Sequence, residues 1–348
     1  FPKNPINNPD TMEHNFRKTA VVGAGAWGTA LAFTAAQTGG DVVLWTNREV
    51  EASIIRETRM GLRPVEGARP LPPNVLVSSD WADVTGADLV LVVVPSVVMR
   101  PVAESLGKVC LGENAVVMNC SKGIEKDTNM LMTEILQEQL SCPVGALSGP
   151  NHAEDIVLGL PSLTLVGFQD LNIAKAVQKR LSTEFFRIYT STDVVGMQLG
   201  GALKNVFALA SGISAGLGLG DNARAALATR GLAEMMRIGL ARGGQADTFM
   251  GLSGMGDLVV TCYSEHSRNL KAGRLIAQGV PLEECTQRVG QVVEGIPNTL
   301  SAYQLARKVD ARTPLIDAMH EVIYNARPAT DVLTELMARD LRQEDVRN

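Results

Sequence analysis

Residues 18–32 read Lys18-Thr19-Ala20-Val21-Val22-Gly23-Ala24-Gly25-Ala26-Trp27-Gly28-Thr29-Ala30-Leu31-Ala32, a short apolar run, a Gly-x-Gly-x-x-Gly turn and the opening of a helix. Each glycine has its own steric task. The first permits the tight turn, the second lets a pyrophosphate approach the backbone, and the third lets helix and strand pack closely. The free N–H groups at the helix N-terminus then face the anion. A glycine turn alone is a weak signal, and a turn without a ligand is the simpler reading. The strand before it, the helix after it and a second apolar run at 41–45 supply the context that a dinucleotide-binding motif requires. Trp27, bulky inside the turn, fits poorly with mere turn chemistry and could also pack against a second domain.

Outward from this turn, apolar runs recur at 18–22, 41–45, 75–78, 89–94 and 115–120, with helical patterns between them at 29–37, 49–59, 98–106 and 128–139. Continuous Val and Leu runs predict strands buried on both faces. The alternation predicts a doubly wound, mostly parallel α/β sheet with right-handed crossovers. Two further runs, 162–167 and 186–189, flank a helical pattern at 173–181 and extend the sheet, while 61–73 reads as a proline-bearing surface loop. From Asp193 onward the pattern is helical, at 222–242, 268–278, 296–308, 313–326 and 329–338. An all-α second domain follows. Residues 1–15 read as a disordered or expression-derived extension without the apolar segment of a signal peptide. Residues 16–192 are then the dinucleotide-binding domain and 193–348 the helical domain.

Composition agrees with two domains. The chain has 348 residues, beyond the roughly 250–300 that one core usually serves. Charged residues make up 20% and the net charge is -5, with no basic stripe, which argues against a nucleic-acid partner. The five cysteines are scattered and odd in number, as expected of reduced thiols in the cytoplasm. The four histidines have no metal-ligand spacing, so no metal is implied.

Between Asp193 and Asp221 an almost wholly apolar segment carries one ionisable side chain, Lys204. Three readings compete. A membrane span would place a lysine mid-bilayer at roughly 2.5–3.5 kcal/mol, and its many glycines weaken that reading further. A snorkelling lysine on a half-buried helix is the bland alternative. The third is a functional lysine in a closed site, where desolvation moves its pKa toward working pH. The glycines are also compatible with a homodimer interface, although a buried core explains them equally well.

Other motifs lie where ligands bind in open α/β sheets, beyond the strand carboxyl ends. Ser121-Lys122-Gly123 follows the fifth strand, and Ser148-Gly149-Pro150-Asn151-His152-Ala153 follows the next. Their plain readings are a solvated lysine and an unliganded turn. After the second strand, Arg48 could neutralise a 2′-phosphate and Glu49 could reach a ribose, which leaves NAD(H) and NADP(H) both open. Gly254-Met255-Gly256-Asp257 precedes an apolar run. Ser267 reads as a helix N-cap, and Arg268 stands at the positive end of that helix. A bound phosphate would resolve the conflict; a solvated arginine is the alternative.

Taken in order, GAGAWGTALA at 23–32, SKG at 121–123, SGPNHAED at 148–155, GGALKNVFALASG at 200–212, NARAALATRGL at 222–232, GLSGMGDLVVTC at 251–262, SRN at 267–269 and VVEG at 292–295 closely resemble the NAD(P)-dependent glycerol-3-phosphate dehydrogenases. The resemblance implies a Rossmann-type domain followed by a helical one, and interconversion of dihydroxyacetone phosphate and sn-glycerol 3-phosphate, supplying glycerolipid metabolism. It implies Lys204, with Lys122 and Asp257, as the catalytic group. Substrate would meet Lys122, Gly149, Asn151, Lys204, Asp257, Ser267, Arg268 and Asn269. The coenzyme would meet Gly23, Gly25, Ala26, Trp27, Gly28, Arg48, Lys122, Ala153, Arg268, Val292 and Glu294. Asn151 stands where the family often has Ser. Two rivals remain: another two-domain dehydrogenase of the β-hydroxyacid or 6-phosphogluconate type, and a non-catalytic dinucleotide sensor.

Overall fold

The computed structural model describes residues 14–341; the expectation for residues 1–15 therefore falls almost wholly outside the described residues. The first half runs β1 (Lys18–Val22), α1 (Ala26–Gln37), β2 (Asp41–Trp45), α2 (Glu49–Thr58), β3 (Val75–Ser78), β4 (Leu89–Val92), α3 (Met99–Leu106), β5 (Val116–Asn119), α4 (Met132–Gln139), β6 (Val144–Ser148), α5 (Ala153–Val157), β7 (Ser162–Gly167), α6 (Leu171–Leu181) and β8 (Phe186–Ser191). These strands form one sheet in the order β3-β2-β1-β4-β5-β6-β7-β8. All neighbours are parallel except β6 and β7.

The Val and Leu runs are explained by burial on both faces. Val21 joins one core cluster, with Leu31, Leu44 and Leu91; Ala20 and Val22 join the other, with Val43, Val92 and Met99. Successive residues of a strand face opposite sides, so neither face of β1 tolerates a charge. Chain order reverses between β1 and β4, whose Val22 and Val92 are in register. At such a switch point the carboxyl ends of the strands leave a crevice for ligands.

The helical half runs α7 (Val194–Gly216), α8 (Gly220–Ala241), α9 (Ala246–Met250), a π-helical turn (Leu252–Gly256), α10 (Asp257–Tyr263), α11 (Arg268–Ala277), α12 (Leu282–Val289), α13 (Gly295–Lys308), α14 (Pro314–Tyr324) and α15 (Ala329–Met337). Helix α7 is its axis, packed by α8, α10, α11 and α13 and buried without interruption from Gly196 to Ser214. Asp193 caps it, accepting from Gly196 N at 2.8 Å. Its glycines allow helices to touch backbone to backbone: a Cβ on Gly212 would lie 2.2 Å from Leu270 O, and one on Gly273 would lie 2.2 Å from Leu209 O. Among the described residues no helix is long and apolar enough to cross a membrane.

Three local expectations shift. The helix expected from 128 begins at Met132, because Ile124 and Leu131 form an antiparallel bridge around a turn with positive φ at Asp127 and Asn129. Glu134 then accepts from Leu131 N at 2.7 Å and fixes the start. The fourth strand ends at Val92, two residues early, because Val94 exchanges hydrogen bonds with the Ser121 hydroxyl instead of with a neighbouring strand. Helices α5 and α12 and the π-helical turn lie in segments that carried no helical expectation.

Candidate active site

The crevice beyond β1, β4 and β5 continues between sheet and helices as a cleft of about 550 Å³. Its first wall is the glycine turn. Gly23 has φ +118°, and a Cβ there would lie 2.2 Å from Val93 O; a Cβ on Gly28 would lie 1.7 Å from Gly23 O. Nothing lies within 4 Å of where a Gly25 Cβ would be, and Gly25, Ala26, Trp27 and Gly28 face the cleft. Helix α1 starts at this point with no acidic side chain in its first turn. The turn thus suits the pyrophosphate of a dinucleotide, held by backbone N–H groups and the helix dipole. Trp27 packs on the core cluster of the sheet half.

Facing it, Asp257 opens α10 fully buried and joins two lysines that are 82 positions apart (204 − 122) in the chain. Its Oδ2 accepts from Lys122 Nζ at 2.6 Å, and its Oδ1 accepts from Lys204 Nζ. Lys204 also donates to Thr261 Oγ1 at 2.6 Å, and the Thr261 hydroxyl donates to Asp257 O at 2.6 Å. Lys122 donates in addition to Gly149 O at 2.9 Å. An ammonium has three donors; two are used in each case, and both lysines line the cleft. Burial drives the Lys204 pKa down to about 7; the Asp257 carboxylate resists and the Lys122 charge assists. The membrane and snorkelling readings of Lys204 do not describe an amine that is 6% exposed in a polar cluster at the base of a cleft.

The third wall is the N-terminus of α11. Ser267 is its N-cap, accepting from Leu270 N at 3.2 Å. Asn269 is locked by Asn205 Oδ1 at 2.9 Å and by the Gly295 N–H at 2.9 Å. Arg268 reaches across to Val292 O at 3.1 Å. Glu294 accepts from the Ser96 hydroxyl at 2.7 Å and from its N–H at 3.2 Å; burial raises its pKa.

The structure therefore brings Gly25, Ala26, Trp27, Gly28, Lys122, Asn151, Ala153, Lys204, Asp257, Ser267, Arg268, Asn269, Val292 and Glu294 to one cleft. Gly23 stands behind the turn, and Gly149 acts through the carbonyl that holds Lys122. Arg48 does not itself line the cleft; it is 71% exposed and pairs at 3.1 Å with Glu51, which does. Asn151 Nδ2 donates to Leu163 O at 2.9 Å, while Asn151 Oδ1 and His152 Nε2 are buried without a partner. Such orphans are the exception in folded proteins. Burial, and then the Lys204 charge, lower the His152 pKa. Sequence reasoning passed over Thr261, Asn205, Ser96, Glu51 and the neighbouring rings of His152 and His266, 5.9 Å apart. Thr261 had a usable signal, since it lies one helical turn after Asp257 on the same face. Among the described residues no three His, Cys, Asp or Glu side chains gather to hold a metal ion.

Comparison with known proteins gives concordant matches. Residues 18–174 match the family model for the NAD-dependent glycerol-3-phosphate dehydrogenase N-terminus, and residues 193–334 match that for its C-terminus. The chain is 41% identical over 334 residues to the glycerol-3-phosphate dehydrogenase (NAD(P)+) of Pediococcus pentosaceus, covering 94% of this chain and 99% of that protein. To the enzyme of the same name from Moorella thermoacetica it is 44% identical over 326 residues, covering 93% and 97%. The crystal structure of glycerol-3-phosphate dehydrogenase from Coxiella burnetii superposes with a TM-score of 0.88 at 33% identity, covering 93% of this chain and 99% of that one.

Proposed function

The chain belongs to the NAD-dependent glycerol-3-phosphate dehydrogenase family, and from that premise we propose how its own residues perform the reaction. It is an NAD(P)-dependent oxidoreductase that interconverts dihydroxyacetone phosphate and sn-glycerol 3-phosphate. The observation that carries the mechanism is the Asp257 carboxylate bridging Lys204 and Lys122 at the base of the cleft.

When bound, the reduced nicotinamide supplies the hydride. The third N–H of Lys204 holds the substrate's C2 carbonyl oxygen, where negative charge develops. A preorganised ammonium in a water-poor site stabilises that charge. Lys204 then gives its proton to the oxygen as general acid, and takes it back in the reverse direction. With a pKa near 7, neither protonation state is inaccessible. Asp257 and Thr261 aim the amine, and Lys122 still pairs with the Asp257 carboxylate once Lys204 is neutral. The α11 N-terminus, with Ser267, Arg268 and Asn269, receives the phosphate, supported by the helix dipole and a charge-assisted contact. Glu294 and Ala153 flank the coenzyme.

The same proposal assigns residues 16–192 to the coenzyme and 193–348 to the substrate, supported by the end of β8 at Ser191 and by the gap between the two family matches. A cytoplasmic setting suits the five free cysteines, and a role in supplying glycerol 3-phosphate for glycerolipids follows from the product. Because α7 is buried inside its own chain, a homodimer would have to use another face.

The test is an assay of nicotinamide absorbance with dihydroxyacetone phosphate against 6-phosphogluconate, run with NADH or NADPH for reduction and with NAD+ or NADP+ for oxidation. Loss of the nicotinamide absorbance with dihydroxyacetone phosphate alone is the expected outcome. Turnover of 6-phosphogluconate instead would favour the rival dehydrogenase class. Coenzyme binding with no turnover of either would favour a sensor.

A further inference from the structure

We infer that Glu51 makes this enzyme prefer NAD(H) over NADP(H); the inference deepens the function proposed above and rests on the glycine turn holding the coenzyme. In dinucleotide sites of this topology, the group at the carboxyl end of the second strand selects between the two coenzymes. A carboxylate accepts from the ribose 2′-hydroxyl of NAD, and an arginine accommodates the 2′-phosphate of NADP. Sequence alone offers Arg48 and Glu49 for that position, and neither lines the cleft. Glu49 bonds to Ser79 Oγ at 2.5 Å and pairs with Arg56. Arg48 is 71% exposed.

The side chain from α2 that does line the cleft, alongside Gly25, Trp27 and Leu62, is Glu51. Its aim is fixed from two sides. Thr46, buried at the end of β2, donates from Oγ1 to Glu51 Oε2 at 2.9 Å. Arg48 NH1 donates to Glu51 Oε1 at 3.1 Å. The arginine is thereby engaged by a carboxylate, and the cleft wall presents a group that accepts from a hydroxyl and sets against a 2′-phosphate a negative charge that the exposed arginine only partly offsets. Arg63, a cation on the same wall, is engaged by Gly290 O across the cleft mouth.

The experiment is calorimetric titration of the full chain with NADH and with NADPH, comparing wild type, Glu51→Gln and the double variant Arg48→Ala/Glu51→Gln. Wild type should bind NADH at least about tenfold more tightly than NADPH, because like charges are juxtaposed in the NADPH complex. Glu51→Gln keeps the shape, removes the repulsion and releases Arg48, so NADPH should gain affinity and the ratio should collapse. Adding Arg48→Ala should take most of that gain back. Equal or tighter binding of NADPH by wild type overturns the inference without any variant, and so does an unchanged ratio in Glu51→Gln. Because binding is read without substrate, the two proposals fail separately. The predicted ratio with no reduction of dihydroxyacetone phosphate sinks the reaction, and vigorous reduction with either coenzyme at equal affinity sinks the selectivity.

Discussion

The sheet side and the helical side of the cleft are built from opposite materials. The sheet side is backbone: Gly23 and Gly28 are pressed to within a Cβ's reach of carbonyl oxygens, and the turn they form presents N–H groups with no ionised side chain among Gly25, Ala26, Trp27 and Gly28. The helical side brings charge: a fully buried carboxylate held between two ammonium groups, one in an apolar helix and the other reaching over from the end of β5. A constant ligand such as a pyrophosphate needs shape and fixed dipoles, which backbone supplies without titrating. A reacting carbonyl needs a charge that can appear and a proton that can leave. Only side chains in low dielectric provide both. Damage to one wall should therefore read as lost binding, and damage to the other as lost turnover.

The sharpest way to break this contrast is Lys204→Ala. Its kcat should fall about 100- to 10,000-fold, the range for a general acid in proton transfer, while calorimetric affinity for the coenzyme stays that of wild type. Asp257 keeps Lys122 as a partner, so the fold should survive. Near-normal kcat would end the general-acid assignment, and a parallel loss of coenzyme affinity would show that the walls are not separable. Lys204→Arg sharpens the point, because guanidinium keeps the charge but cannot release a proton at working pH.

On the other wall, Gly28→Ala forces a methyl to within 1.7 Å of Gly23 O, and only backbone movement relieves it. Overpacking of this kind is worth about 1–3 kcal/mol. The thermal midpoint should drop and coenzyme affinity should weaken together, with kcat at saturating coenzyme changed much less. A variant with unaltered affinity would show that the turn does not hold the dinucleotide.

The same contrast explains what could be read from the chain before its structure. The sheet side was legible because its signals are local. Strand, turn and helix follow one another within residues 18–37, and period-2 burial on both faces leaves a continuous apolar run. Lys204 was legible as an anomaly, one charge in an apolar helix. Its partners Lys122 and Asp257 came from the family resemblance and not from the pattern, because the contact between them spans 135 positions and no periodicity encodes it. Thr261 and Asn205 become meaningful only after Asp257 and Asn269 are placed. Glu51 was missed for a different reason. Arg48, Glu49 and Glu51 lie within three positions of one another, and the helix start at Glu49 agrees with the expected 49–59. Which of the three side chains faces the cleft depends on how α2 is rotated against the sheet, which pattern does not encode. The reversed pairing of β7 was equally silent, since an antiparallel strand buried on its neighbours has the composition of a parallel one.

The last prediction concerns pH, and it turns the chemical wall against itself. Burial lowers the Lys204 pKa from 10.5 to about 7, with Asp257 opposing and Lys122 reinforcing. Reduction of the ketone needs Lys204 charged, so its kcat should fall as pH rises through about 7. Oxidation of the alcohol needs the free amine, so its kcat should rise over the same interval. The two profiles should therefore cross, each limb changing about tenfold per pH unit beyond the inflection, which one proton in a single group requires. Because the three side chains share hydrogen bonds, the inflection belongs to the Lys204–Asp257–Lys122 cluster and not to one nitrogen. Lys122→Met tests that sharing: with a like charge removed, ionisation of Lys204 becomes easier and both inflections should move upward. The glycine turn that receives the pyrophosphate is backbone that does not titrate, so it gives coenzyme affinity no inflection in this range; a binding curve that bends at the kinetic inflection would show that the ammonium pair also helps to hold the dinucleotide.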